Sequence, residues 1–543
     1  MGGATGSQID YVFGMLLSWM ASQKKSFLFA STLFTLAGMW TQGCGDGANA
    51  VDIETSAKDG GRCDPKLSPL EDPCVVTDAL GVFVSPNAAA SGDGTQKAPF
   101  NDLRVAFARA ISASKPNVFL CGTHKAEGVE VPDGLHVFGA FECNATKWVL
   151  SQSVRAKIES LGSGKPILLV KGSTKGVRIE AVDFVARADK SSASAIGIVA
   201  IDSPAFEVVN SALRAEKGAD GVDGAAALQL VNDDAAKIDG IVSNDLVRGC
   251  DGAAFEPFCN IYEGGKVGGT NTCKGTSVSG GPGGRGGNGG LYHGLVPIFD
   301  NGNEIGKILS VMGPPTKSDP NVANTTTNAN GMPGVEGAPG SEGRSSEAGR
   351  FLATGEFAPG DGTPGTDGKP GQGGGGGDGI APPSGEFASR SVRNGMPAAY
   401  ANPGGGGGGA GGCPGLAGKP GTGGGASVGL VSIRSTVSLK NVQITTSSGG
   451  NGGKGTVGSK GTAGGLGGKG NFSQAGGNGG KGGDGGFGGS GAGGPSVGIA
   501  YSGAAPTRDE STKVTVGAGG KGVSDVVGVT ASKNGVSVES ISF

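Results

Sequence analysis

The sequence predicts an all-β chain, a parallel β-helix carrying long glycine-rich insertions, and four observations lead there. With 113 Gly and 28 Pro among 543 residues, the composition lies in the low-complexity range. Aromatic residues make up only 5 %, so a core has to be built in thin layers of Val, Ile, Leu and Ala. Short apolar runs broken by Gly, Pro or Asp recur between 81 and 141, too short and too close for hairpins around a large core but well suited to stacking. Finally, four nine-residue windows align without gaps, at 176–184, 205–213, 436–444 and 535–543.

The chain opens with Lys24 and Lys25 before the apolar run SFLFASTLFTLAGMW at 26–40. A basic stretch before an apolar one is the order of an export signal, and the run is short for a membrane span. Met20 makes a more ordinary start for such a signal than Met1. The run ends in Thr41-Gln42-Gly43-Cys44-Gly45, which resembles a bacterial lipobox, where a small residue precedes a cysteine that is acylated and becomes the mature N-terminus. Thr41 and Gln42 depart from the Leu and small residue preferred there. Two readings stand: 1–43 is the signal and Cys44 carries the lipid anchor, or cleavage near Ala48 or Ala50 removes Cys44. The resemblance to lipoproteins implies outer-membrane sorting, because Gly45 stands where inner-membrane retention requires Asp.

Residues 44–78 read as a linker. Nine cysteines less Cys44 leave an even set, Cys63, Cys74, Cys121, Cys143, Cys250, Cys259, Cys273 and Cys413, suited to disulfides outside the cytoplasm. Spacing nominates Cys63 with Cys74 and Cys121 with Cys143.

From 79 to 215 the chain reads as β-helix with an N-terminal cap. Gly81-Val82-Phe83-Val84-Ser85-Pro86, Gly92-Asp93-Gly94-Thr95 and Ala98-Pro99-Phe100 lead into a helical stretch from Leu103 to Ile111. Leu103, Phe107 and Ala110 share one helical face, and the end of a solenoid exposes an apolar cross-section that needs such a lid. This stretch resembles the opening of bacterial right-handed β-helix proteins of the pectin-lyase-like superfamily, which implies a right-handed coil.

In the four windows, apolar residues fill the second, fourth and ninth places, and the sixth is Ala181, Asn210, Asn441 and Ser540. Small or amide residues belong where one strand bends into the next, so each window is read as two strands joined by a bend. A further element, Ala195-Ile-Gly-Ile198, recurs as Ser427-Val-Gly-Leu430 and Ser496-Val-Gly-Ile499. The order yields a glycine-rich insertion at 216–425, a rung at 426–448, a second insertion at 449–494 and C-terminal rungs at 495–543. Both insertions leave and return at the same place in the repeat, as loops hung from one edge of a coil do.

In the second insertion Gly recurs at every third residue except Ser473. Collagen is rejected, because these runs are short or poor in proline. Flexible low-complexity loops are the plain reading. The constant phase favours instead a bundle of extended helices with three residues per turn, in which glycine lets backbones approach and hydrogen-bond. Asn451, Lys454, Asn478, Lys481 and Asp484 are then expected to face solvent. The composition resembles the PGRS-type glycine-rich proteins, including predicted lipoproteins of myxobacteria that join β-helix rungs to such repeats. It lacks the N-terminal PE domain of the proteins that gave the type its name.

A net charge of -3, from 44 basic and 47 acidic residues, provides no surface for a polyphosphate backbone, so nucleic acid is not an expected partner. Pectin-lyase-like folds often host polysaccharide lyases and glycosidases, which need clustered carboxylates. Asp183, Asp202, Asp233 and Asp234 are the candidates. Across the windows Asp183 aligns with Ala212, Gln443 and Ser542, so no carboxylate ladder forms, and Asp233 and Asp234 suit a solvated turn. His124, expected in a turn, His136, in a strand, and His293, in a glycine loop, lack metal-ligand spacing. Cys250, Cys259 and Cys273 suit disulfides better than zinc, and Asp220, Asp223 and Asp484 do not recur as calcium-binding nonapeptides require.

The expectation is a non-catalytic, lipid-anchored protein of the cell envelope or exterior, with no cofactor or metal. It meets the membrane through its lipid and displays its glycine-rich loops in a structural or adhesive role, with a polysaccharide or surface protein as the class of ligand. The alternatives are a carbohydrate-active β-helix enzyme, a lyase or glycosidase whose site is assembled from loops, and a chain with no dedicated ligand that fills the envelope.

Overall fold

The computed structural model describes residues 63–543 apart from 66, 145–146, 233–236, 243–266, 282–295, 301–302, 309–329, 378–391, 394–395, 398–404, 471–473 and 525–530. Cys44, Asp233, Asp234, Cys250, Cys259 and His293 lie outside the described residues.

One α-helix, Leu103–Ser112, stands at the start of the β-rich body. The Asp102 carboxylate accepts the N–H groups of Arg104 and Val105, which caps two of the donors that a helix start leaves unpaired. The helix buries Leu103, Ala106, Phe107 and Ala110 against the first strands. It therefore closes the apolar cross-section, as expected.

Most strands belong to three parallel sheets. The chain visits them in a fixed order. His136–Cys143, Ala156–Glu159 and Leu168–Lys171 make one circuit, and Val177–Glu180, Val182–Ala186 and Ala195–Ile201 the next. Phe206–Val209, Ala212–Ala215 and Ser427–Ile433 follow, then Val437–Lys440, Gln443–Thr446 and Ser496–Ser502. The register stacks like on like: Val137, Ile179, Val208 and Leu439 in the first sheet, Ile158, Phe184, Leu213 and Ile444 in the second, and Leu168, Ile198, Leu430 and Ile499 in the third. These columns form the buried core, and each such side chain contributes about 1.5–3 kcal/mol by leaving water.

The bends repeat as faithfully as the strands. Ala181, Asn210 and Asn441, the sixth residues of three windows, have φ of 55°, 48° and 51°. Asparagine tolerates this left-handed region better than most residues, and Asn441 donates through Nδ2 to Asn210 Oδ1 at 2.8 Å. The fourth window departs from the expectation. Residues 537–542 form one strand, Ser537–Ser542, at the edge of the third sheet. The bent pair of that circuit is Thr507–Arg508 with Lys513–Thr515. Apolar places matched by alternation alone do not tell one strand from two.

Two of the three outer faces are covered. Phe83, Phe119, Phe138, Phe141 and Trp148 form a cluster outside the core, against which Val75, Val76, Cys63 and Leu70 pack. The end of the expected linker is thus structured. Pro73–Val75 is a short 3-10 turn, Cys63 is bonded to Cys74, and Ser68 Oγ donates to the buried Glu180 Oε1 at 2.9 Å. Cys121 is bonded to Cys143 in the same region, so both nominated pairs form. On the third sheet, Ile196, Val199, Val428, Val431 and Val497 face outward beneath Phe351 and Phe357, from the hairpin Arg350–Phe351 and Phe357–Ala358.

Candidate functional site

All three long excursions leave the coil after a second-sheet strand and rejoin it at a third-sheet strand. They run from Ala212–Ala215 to Ser427–Ile433, from Gln443–Thr446 to Ser496–Ser502, and from Lys513–Thr515 to Ser537–Ser542. Two of them match the shared exit read from sequence. The third had no glycine phase long enough to notice.

Away from the coil, the excursions interlock. Gly331, Gly334, Gly337, Gly340 and Gly343 donate to the carbonyls of Ala475, Asn478, Lys481, Asp484 and Phe487. In turn Gly477, Gly480, Gly483, Gly486 and Gly489 donate to Gly375, Gln372, Lys369, Thr366 and Thr363. Gly479, Gly482, Gly485 and Gly488 donate to Gly465, Thr462, Ser459 and Thr456, while the carbonyls of Gly477, Gly480, Gly483 and Gly486 accept from Gly409, Gly412, Gly415 and Gly418. Segment 474–495 is thus hydrogen-bonded to four other glycine-rich segments. Partners spaced by three residues fit an extended helix of three residues per turn and not the alternation of a strand. The Gly spacing is steric. At Gly337 a Cβ would press into the Lys369 carbonyl, and at Gly480 into that of Val335.

Side chains at the remaining places complete the backbone hydrogen bonding. Thr456 Oγ1 accepts Lys419 N–H at 3.0 Å, Ser459 Oγ accepts Leu416 N–H at 2.8 Å, and Thr462 Oγ1 accepts Cys413 N–H at 2.6 Å. Asp220, Asp223 and Asp239 take the N–H groups of Asn451, Lys454 and Leu466. One row of segment 405–426 can be followed residue by residue. Gly408 and Gly411 donate to the carbonyls of Gly281 and Val278, Ala417 and Gly423 donate to the carboxylates of Asp367 and Asp361, and at 414 and 420 stands proline, which has no N–H to satisfy. Buried or edge donors left unpaired are costly, and from 408 to 423 this row leaves none.

The solvent-facing residues are as expected for Asn451, Lys454, Asn478 and Lys481, which are exposed, whereas Asp484 is half-buried. Asp484 Oδ1 accepts Gly461 N–H at 3.0 Å and pairs with Lys481; the Gly461 bond first, then Lys481, hold its carboxyl below the usual range. The bonded Lys274 ammonium, then the Ala417 N–H, do the same for Asp367. Sequence reasoning assigned Asn451, Asn478 and Asp484 to solvent and missed that each also accepts a backbone N–H. The available signal was Ser, Thr, Asn and Asp recurring in phase with Gly. Cys273 is bonded to Cys413, which ties the short hairpin Thr272–Cys273 and Thr276–Ser277 to the bundle.

The candidate chemical residues among the described ones, Asp183, Asp202, His124 and His136, are not brought together. Asp183 accepts Ala212 N–H at 3.1 Å and pairs with Arg155 at 3.4 Å. Asp202, on the opposite side of the repeat, is held by both Arg434 Nε and Nη2, at 2.7 and 2.8 Å. His124 is corrected from a turn to the strand Thr123–Lys125, where it is buried with Nε2 2.9 Å from the Cys121 carbonyl. Burial pushes its imidazole below the ordinary range. His136 begins its strand as expected. A shallow groove of about 370 Å³ on the first sheet is lined by His136, Arg178, Phe206, Glu207, Thr436 and Ser438. Its carboxylate, Glu207, is engaged by Arg178 and Lys440. Among the described residues no group of three or more His, Cys, Asp or Glu is placed to hold a metal ion, and no helix is long and apolar enough to cross a membrane.

Comparison of the chain with models of protein families, with curated proteins and with solved structures finds no match.

Proposed function

We propose that the chain is a non-catalytic, lipid-anchored surface protein in which a right-handed parallel β-helix holds out a bundle of polyglycine II-like segments. The observation that carries this reading is the joining of three excursions, all leaving one corner of the coil, into one hydrogen-bonded body. Disulfides at three places fit an oxidising exterior. An ordered, weakly charged bundle suits contact with a polysaccharide or a surface protein in adhesion, matrix or cell contact. The export signal and acylated Cys44 would anchor it at the envelope, in the outer membrane.

Intact mass and detergent partitioning of the protein from its native envelope test the anchor. The wild type is expected to begin at an acylated Cys44 and to enter the detergent phase, and Cys44→Ser to lose membrane association. If both forms are soluble and begin after residue 44, the anchored role fails. A secreted carbohydrate-active protein using the groove at Arg178 and Glu207 then becomes the better reading.

A further inference from the structure

Asparagine followed by glycine is the dipeptide most open to deamidation, because glycine leaves its own backbone nitrogen unshielded beside the asparagine side chain. Four such pairs lie in described parts of the bundle: Asn330-Gly331, Asn451-Gly452, Asn478-Gly479 and Asn534-Gly535. In every one, both reacting groups are held by another segment. Asn330 Oδ1 accepts Ala475 N–H at 2.9 Å while Gly331 N–H donates to the Ala475 carbonyl at 2.8 Å. Asn451 and Gly452 grip Lys521 in the same way, at 2.9 Å each. Asn478 Oδ1 accepts Gly467 N–H at 2.9 Å, with Gly479 N–H on the Gly465 carbonyl at 2.8 Å. Asn534 Oδ1 accepts Gly522 N–H at 2.7 Å, with Gly535 N–H on the Gly520 carbonyl at 2.8 Å.

We propose that these four asparagines are latent modification sites that the assembled bundle holds shut, and that their deamidation records bundle opening. The reaction needs the Gly nitrogen to attack the Asn Cγ. A C–N bond forms, ammonia leaves with the proton that nitrogen gives up, and a succinimide remains. Water then opens the ring to aspartate or isoaspartate. In the bundle the nitrogen is committed to a carbonyl and the Asn side chain is fixed to a different strand of backbone, so the attack has to wait for both bonds to open.

The two products part ways. Aspartate keeps an acceptor where Asp220, Asp223, Asp239, Asp361, Asp367 and Asp484 already take backbone N–H groups. Isoaspartate adds one carbon to the main chain. Every later donor in that segment then falls out of phase with carbonyls that recur at each third residue, and the segment cannot return to its place. One opening event thus becomes permanent.

The test follows ammonia loss by peptide mass spectrometry in heavy-oxygen water, using the full-length protein in mildly alkaline buffer and synthetic peptides with the same four sequences in the same buffer. Two hydrogen bonds of about 1 kcal/mol opened per event predict native rates about 30-fold below those of the peptides at all four sites. Native rates within a few-fold of the peptide rates overturn the proposal. In a second measurement, amide exchange at Gly467 is compared in Asn478→Asp and Asn478→Ala. Protection is expected in the first and loss in the second; loss in both refutes the claim that aspartate keeps the clamp.

Discussion

Substituting Gly365 by Ala tests whether the glycine phase is a steric requirement. A Cβ at Gly365 would lie 2.5 Å from the carbonyl oxygens of both Gly486 and Phe487, where contacts of 3.4–4 Å are ordinary. Relief calls for movement of about 0.9 Å. Those two oxygens accept from Gly418 at 2.8 Å and from Gly343 at 2.7 Å. If the movement runs along the bonds, both stretch beyond about 3.5 Å and cease to count. Two lost bonds of about 1 kcal/mol each, plus overpacking strain of about 1–3 kcal/mol, come to roughly 3–5 kcal/mol. Lys481→Ala is the control, since it removes only an exposed ion pair worth about 0.2–1 kcal/mol. Hydrogen exchange at Gly343, Gly418 and Gly486 is the assay, because it reads local opening without a two-state assumption. Equal protection in Gly365→Ala and Lys481→Ala would refute the close-packed reading of the bundle.

Three further outcomes follow from the coil and its fastenings. Removing the Cys273–Cys413 bond, which spans 140 residues, by Cys413→Ser should cost about 2–5 kcal/mol and expose the Thr272–Ser277 hairpin to proteases; unchanged cleavage counts against it. Asn441→Val at φ 51° should destabilise the coil by about 1–2 kcal/mol while Asn441→Gly stays near neutral, as denaturant unfolding will read. The Asp509 carboxyl, bonded first by Thr512 and then by Ser511, is held down to about 2 from an ordinary 3.8. Since the folded value is the lower one, its stabilisation is complete above 3.8 and fades as pH falls towards 2. Amide exchange at Asn441 and Thr512 should follow that loss, and Asp509→Asn should abolish the dependence.

Much of the coil was legible because its rules are local. A helix face of Leu103, Phe107 and Ala110 reads the same in sequence and in the lid, and Ala181, Asn210 and Asn441 mark bends because few residues accept that backbone. The circuit through Thr507–Arg508 and Lys513–Thr515 was hidden, since Asp509, Glu510, Ser511 and Thr512 separate two very short strands with one inward Val514. The packing of 63–80 was hidden for a different reason. Its partners, Phe83, Phe119 and Phe138, lie on the face that alternation assigns to solvent. Within the bundle the phase of Gly was plain, but the pairing of Asp367 with Ala417 or Thr456 with Lys419 joins residues far apart in the chain. No local pattern carries that information.

The corner from which the first excursion leaves has a consequence for synthesis. Ser427 Oγ donates to the Ala215 carbonyl, yet the two residues are 212 apart in the chain. A ribosome adding about 5–20 residues per second needs roughly 10–40 s to make the stretch between them, and a chain that emerges end first from an export channel meets the same order of arrival. For that interval the strand Ala195–Ile201, apolar on both faces, awaits its neighbour with one row of backbone groups bare. Such an edge is a template for the wrong partner. A nascent chain of this design depends on something to shield that edge, a chaperone or an early-folding part of its own excursion, and crowding by sister chains should harm its yield more than that of a coil without interruptions.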